Sequence, residues 1–198
     1  MLSSNEAFNL LVVGVGGQGV LTLSSLVVHA AVRAGFDVKQ SELHGMAQRG
    51  GSVSSHVRVG RKIYSPVIAE GAADVVLALE KLEALRYPHF LSPNGLLIVD
   101  DCAIPPLPVS SGAMDYPPNA LERCRALAPR IEIYSGQALA EAIGSSRMLN
   151  TCFAGILSRH LPFGAWIWRE AVADYFAGRH PEANLRAFDI GRSATPVG

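Results

Sequence analysis

The chain has 198 residues, 49% of them hydrophobic, with 17 basic and 17 acidic side chains and no formal net charge. That composition excludes a globally disordered chain, which needs low hydrophobicity and high net charge. It also lacks the basic excess of a typical nucleic-acid binder, so no nucleic-acid partner is expected.

Phe8 to Val13 is a short apolar run that stops at Gly14, as a buried parallel strand would. Val20 to Ala34 is rich in Leu, Val and Ala and closes at Gly35, a usual residue just past a helix end. Phe36 to Leu43 reads as a second strand, completing a strand–glycine turn–helix–strand unit. Ser52 to Val59 alternates apolar and polar residues, Gly60-Arg61 reads as a tight turn, and Lys62 to Val67 reads as the second arm of a hairpin. Pro66 confines that arm to an edge or a strand end.

Ala73 to Leu79 is a further buried strand, and Glu80 to Phe90 a helix with a polar face. Pro93-Asn-Gly marks a turn, and Leu96 to Asp100 a strand ending on two aspartates. Five prolines between Ile104 and Pro118 mark a loop. Helix, strand and helix follow at Ala120 to Leu127, Ile131 to Tyr134 and Gly136 to Ile143. Helical patterns then cover Met148 to Leu161, Trp166 to Phe176 and Pro181 to Phe188. This order predicts a Rossmann-like α/β fold: one domain over residues 1–198, with a mostly parallel sheet, an antiparallel hairpin excursion and a helical C-terminal segment.

Cys102, Cys124 and Cys152 are widely spaced, with no C-x-x-C. They form no disulfide framework and no thiolate set for zinc or iron–sulfur, and fit a reducing cytoplasm. Residues 1–6 carry no basic region of a signal peptide, and no apolar run approaches about 18 residues, so no membrane association is expected.

Two constellations carry possible chemistry. Gly14-Val-Gly-Gly-Gln-Gly19 satisfies G-x-G-x-x-G between a strand and a helix, which makes Gly14, Gly16, Gly17, Gln18 and Gly19 the candidate cofactor-binding residues. Either Asp37 or Glu42 could be the ribose acid of a nucleotide site; tight helix–strand packing is the other reading of the glycines. The second constellation runs from Ser41 to Ser52 and packs Glu42, His44, Gln48 and Arg49 around Gly45, Gly50 and Gly51. Such density on flexible backbone is expected of a binding loop, and Arg49 could offer its fork to a carboxylate or phosphate. No residue stands out as catalytic and no metal site is expected. His56 and Arg58 read as one solvated face, Glu80, Glu83 and Arg86 as a solvated helical stripe, Asp100 and Asp101 as caps or a magnesium site, and Cys152 as core.

The two constellations in this order, followed by Tyr64-Ser-Pro66, Asp74 to Glu80 and Glu83-Ala-Leu-Arg86, resemble the gamma subunit or domain of the 2-oxoacid:ferredoxin oxidoreductases. The string His44-Gly-Met-Ala-Gln-Arg-Gly-Gly51 is most similar to the indolepyruvate branch of that family. The similarity is detailed from Asn9 to Asp101 and weaker through Asn150 and Asn184 to Gly191. The resemblance implies a subunit, inactive alone, of an enzyme that decarboxylates a 2-oxoacid, forms an acyl-CoA and passes electrons to ferredoxin. It implies that thiamine diphosphate, magnesium and iron–sulfur clusters sit on a larger alpha subunit, with coenzyme A as co-substrate of the complex. Glu42, His44, Met46, Gln48, Arg49, Gly50, Gly51, Ser52, Ser65 and Pro66 are then the residues facing substrate or partner. A free-standing NAD(P)- or flavin-binding oxidoreductase using Gly14 to Gly19 is the alternative.

Overall fold

The computed structural model describes residues 7–44 and 51–197. Six strands form one sheet in the order β2-β3-β1-β4-β5-β6. They are β1 (Phe8–Val15), β2 (Asp37–His44), β3 (Ser52–Gly60), β4 (Ala73–Ala78), β5 (Leu91–Asp100) and β6 (Arg130–Tyr134). Strands β1, β4, β5 and β6 run parallel, and β3 runs antiparallel to both of its neighbours. The helices are α1 (Val20–Arg33), α2 (Lys81–Arg86), α3 (Leu107–Ser110), α4 (Ala120–Leu127), α5 (Gly136–Ile143), α6 (Leu149–Leu157), α7 (Ala165–Tyr175) and α8 (Pro181–Ser193).

Side-chain alternation along the central strands builds a core on each face. Leu10, Val12, Val75, Leu77, Leu96 and Ile98 point to one side, against α1 and the C-terminal helices. Leu11, Val13, Val76, Ala78, Leu97 and Val99 point to the other, against α2 and α4. Covered on both faces, these strands have no solvated side, which is why they read as unbroken apolar runs. On the first face α6 and α8 approach backbone to backbone. A Cβ on Gly155 would overlap the Phe188 carbonyl, and one on Gly191 the Cys152 carbonyl.

The hairpin differs from its predicted place. Ser52–Gly60 pairs antiparallel with β2 on one edge (Leu43 opposite Ser54) and with β1 on the other (Val13 opposite Ser54). Both edges of β3 are thereby occupied, so Lys62 to Val67 has no ladder to join and is not a strand. The hairpin is therefore β2–β3, and β2 lies one strand further from β1 than the simple strand–helix–strand unit implies. The expected turn at Pro93 to Gly95 is absorbed into β5 as an irregularity, where pairing shifts from Ala73 opposite Leu91 to Val75 opposite Leu96. The proline-rich stretch carries one short helix, α3.

Two surface readings are corrected. His56 is 4% exposed, packs edge-on against Phe90 and accepts the Ile68 N–H at Nδ1, 3.2 Å away. Glu80 and Glu83 are 1% and 4% exposed. Period-two and period-three spacing locate a face but not what covers it, and here residues 61–72 and the proline-rich segment cover it.

Candidate functional site

The carboxyl ends of β1, β4, β5 and β6 share one edge of the sheet. There α1 leaves β1 towards one face and α2 leaves β4 towards the other, opening the crevice where doubly wound folds place ligands. Gln18 bridges it: Val15 N–H donates to Gln18 Oε1 at 2.7 Å, and Gln18 Nε2 donates to the Leu79 carbonyl at 2.5 Å. Gly14 leaves room for this amide, since a Cβ there would lie 3.1 Å from Gln18 Oε1 and 3.0 Å from a Val20 methyl. Gly17 and Gly19 turn the chain with φ of 102° and 78°, a region that favours glycine.

The turn is tied to the second constellation. Gly16 N–H donates to the Gly51 carbonyl at 2.9 Å, and Gln18 N–H to the Val15 carbonyl at 3.0 Å. Ser52 Oγ donates to Glu83 Oε2 at 2.5 Å and lies 3.1 Å from the Tyr87 hydroxyl. Arg86 Nε approaches Glu83 Oε1 at 3.3 Å. Burial pushes the Glu83 carboxyl above its usual range, against the Ser52 hydrogen bond and the Arg86 charge. A cavity of about 440 Å³ opens beside this group, walled by Val15, Gly51, Ser52, Glu83, Arg86 and Pro105.

Two more cavities follow the same edge. One of about 330 Å³ is lined by Gly17, Gln18, Asp100, Arg147 and Asn150, and one of about 970 Å³ lies over the ends of β5 and β6. Asp100, 1% exposed, borders both. It caps the backbone as one of the sequence readings had it: Oδ1 accepts Cys102 N–H at 3.1 Å and Gly136 N–H at 3.0 Å. Burial raises its pKa to about 6 despite those bonds, with Asp101 and Glu80 adding to the rise.

Of the residues expected to face substrate or partner, the structure brings Gly51 and Ser52 to the glycine turn. Met46, Gln48, Arg49 and Gly50 lie outside the described residues, as does the side chain of His44, the last residue of β2. Glu42 is exposed on β2 and accepts from Gln40 Nε2 at 3.0 Å. Ser65 and Pro66 sit towards the opposite end of the sheet: Arg58 donates to the Ser65 carbonyl at 3.0 Å and to Asn9 Oδ1 at 2.8 Å. Asp37 lies at that end too, accepting the Ile63 N–H. With β3 between β2 and β1, neither Asp37 nor Glu42 stands on the strand beside the turn where a ribose acid is needed.

Asn150, Arg147 and Tyr87 are neighbours of the site that the sequence does not single out; they come from separate elements, and no local pattern links them to the turn. Glu83 and Arg86 were visible as an i,i+3 pair, but not as the support of Ser52. Cys124 and Cys152 belong to opposite faces of the sheet and Cys102 to the rim. Among the described residues no three His, Cys, Asp or Glu side chains are placed to hold a metal. None of the described helices is long and apolar enough to cross a membrane.

A twisted, mostly parallel sheet wound on both faces, with one antiparallel strand and a glycine turn at its switch point, places the chain among the doubly wound α/β proteins. More narrowly, it belongs to the pyruvate ferredoxin/flavodoxin oxidoreductase family, which it matches over residues 9–194. It is 42% identical over 187 residues to the indolepyruvate oxidoreductase subunit IorB of Archaeoglobus fulgidus, covering 92% of each chain. It is 35% identical over 196 residues to the subunit of the same name from Thermococcus kodakarensis, covering 96% of each. Among solved structures it resembles the gamma subunit of a keto/oxoacid ferredoxin oxidoreductase from Geobacter sulfurreducens, with a TM-score of 0.69 and 20% identity over 93% of this chain and 95% of that one. It also matches 34% of the longer chain of the 2-oxoglutarate:ferredoxin oxidoreductase from Magnetococcus marinus, with a TM-score of 0.73, 20% identity and 97% of this chain covered. The chain is thus a small-subunit member of an oxidoreductase family.

Proposed function

We propose that this chain is the small subunit of a cytoplasmic 2-oxoacid:ferredoxin oxidoreductase acting on indolepyruvate or another aryl pyruvate, and that it turns over nothing alone. It docks on a larger subunit that carries thiamine diphosphate, magnesium and iron–sulfur clusters and delivers electrons to ferredoxin. Identity along almost the whole length of subunits named for indolepyruvate supports the substrate. The separated cysteines suit a chain that leaves the clusters to its partner. Thiamine diphosphate on that partner would carry the decarboxylation.

The part played by this chain is to present the segment ending at Gly51 to that centre. The observation that carries this reading is the hydrogen bond from Gly16 N–H to the Gly51 carbonyl. Through it the turn at Gly14 to Gly19 braces the segment, while Arg49 faces an anionic carboxylate or a coenzyme A phosphate. Gly16 is engaged and Gln18 closes the crevice, so the turn serves the loop before it serves any dinucleotide.

Co-expression with the larger subunit tests this. The two should co-elute and oxidise indolepyruvate with coenzyme A and ferredoxin, whereas either chain alone should not. R49A in the complex should raise the KM for indolepyruvate or coenzyme A. Turnover by the single chain, or unchanged kinetics in R49A, would overturn the reading.

A further inference from the structure

The segment Glu83-Ala-Leu-Arg86 is left without a task by the function proposed above, yet it forms one wall of the 440 Å³ cavity beside Gly51 and Ser52. Its two charged residues are treated differently by the fold. Glu83 is turned inward, and its carboxylate takes the Ser52 hydroxyl on one oxygen and the Arg86 Nε on the other. Tyr87 closes the group through the same hydroxyl. Arg86 is half exposed. Its Nε is engaged by Glu83, and its two terminal amino groups find no acceptor among the described residues. An arginine ion-paired at Nε to a buried carboxylate, with no acceptor for its terminal N–H groups among the described residues, keeps less of the side-chain freedom that ordinarily weakens anion binding at a surface.

We propose that Arg86 is a second anion-recognising residue of this site, held by Glu83, Ser52 and Tyr87, and that it binds an oxyanion of one of the complex's co-substrates. This rests on the small-subunit reading above and deepens it. The shared chemistry is a carboxylate or phosphate, to which the guanidinium donates hydrogen bonds. The 2-oxoacid supplies the first and coenzyme A the second. Among the described residues no other arginine or lysine lines this cavity. Glu83 and Tyr87 are positioning residues: they set the direction of Arg86 and the start of β3 without reaching the ligand.

The test uses the complex of small and larger subunits. The KM for indolepyruvate is measured at saturating coenzyme A, and the reverse, for wild type, R86A, R86K and E83Q. R86A should raise one of the two KM values about tenfold or more, the loss of a charge-assisted contact, with little change in kcat. Which KM moves identifies the oxyanion. R86K should recover only part of the loss, because a point charge does not replace the fork. E83Q still accepts the Ser52 hydroxyl but gives up the ion pair, and should raise the same KM by about threefold. Co-elution of each variant is checked beside the kinetics. An intact R86A complex with both KM values within about twofold of wild type overturns the inference and leaves the subunit assignment standing. So does an R86A chain that folds but no longer binds the larger subunit, since Arg86 is then an interface contact. A wild-type pair that neither associates nor turns over fails the subunit assignment itself.

Discussion

Asn150, at the start of α6, stands so close to Gly19, the residue that caps α1, that a Cβ on Gly19 would overlap its side-chain amide. The glycine turn is therefore packed from the C-terminal half of the chain as well as from its own strand. Gly19→Ala meets both that overlap and a positive φ of 78°. The cost should be about 1–3 kcal/mol, measured by urea denaturation. Asn150→Ala in the same chain should return part of it by removing the clash, and the remainder reports the backbone strain.

The closest helix contact makes a second prediction. Gly155→Ala or Gly191→Ala places a methyl against a backbone carbonyl of the facing helix, which cannot swing aside as a side-chain tip can. Each should destabilise the protein by about 3 kcal/mol, the upper end for overpacking. Thermal unfolding followed by circular dichroism measures it, and the two losses should not add, because either methyl pries α6 from α8.

Asp100 gives a pH signature. Its folded pKa of about 6 lies above the ordinary 3.8, so the folded state holds this proton more tightly than the unfolded chain does. Below about pH 3 both states are protonated and the residue costs nothing; from there to pH 6 the unfolded chain ionises first, and stability falls as pH rises; well above 6 the whole penalty of about 3 kcal/mol is present. Asp100→Asn keeps an oxygen for the Cys102 and Gly136 amides and cannot ionise. Its stability relative to wild type should therefore climb by up to about 3 kcal/mol between pH 3 and 7 in paired denaturant titrations.

Glu80 ties the proline-rich segment to the sheet edge. It caps α2 through Leu82 and Glu83 N–H, and its other oxygen accepts Ile104 N–H at 3.1 Å and the Tyr116 hydroxyl at 2.6 Å. Tyr116→Phe removes the last of these and should cost about 1–2 kcal/mol. Limited proteolysis should then cut between residues 104 and 118 faster than in wild type.

Much of this fold can be read along the chain because its causes are local. An apolar run covered on both faces is a central parallel strand wherever it sits, so Phe8 to Val13 and Ala73 to Leu79 are found within a residue or two of their ends, and Leu96 to Asp100 is the C-terminal half of β5, which starts at Leu91. The helices at Ala120–Leu127 and Gly136–Ile143 are likewise legible, and the glycine spacing at 14–19 announces a strand-to-helix turn. The resemblance to the family is also carried locally, by the string His44 to Gly51. Strand partners are not local. Ser52–Gly60 alternates as any half-covered strand does, and nothing in its own residues says that β2 and β1 will take both its edges, leaving Lys62 to Val67 unpaired. The same limit hid the site's supports: Glu83 reads as a solvated helix position until Ser52 arrives from another strand, and Asn150 as an ordinary helix start until Gly19 packs beneath it. Residues far apart in sequence meet through the sheet order, which is set by the competition among all strands for edges and among all apolar faces for cover.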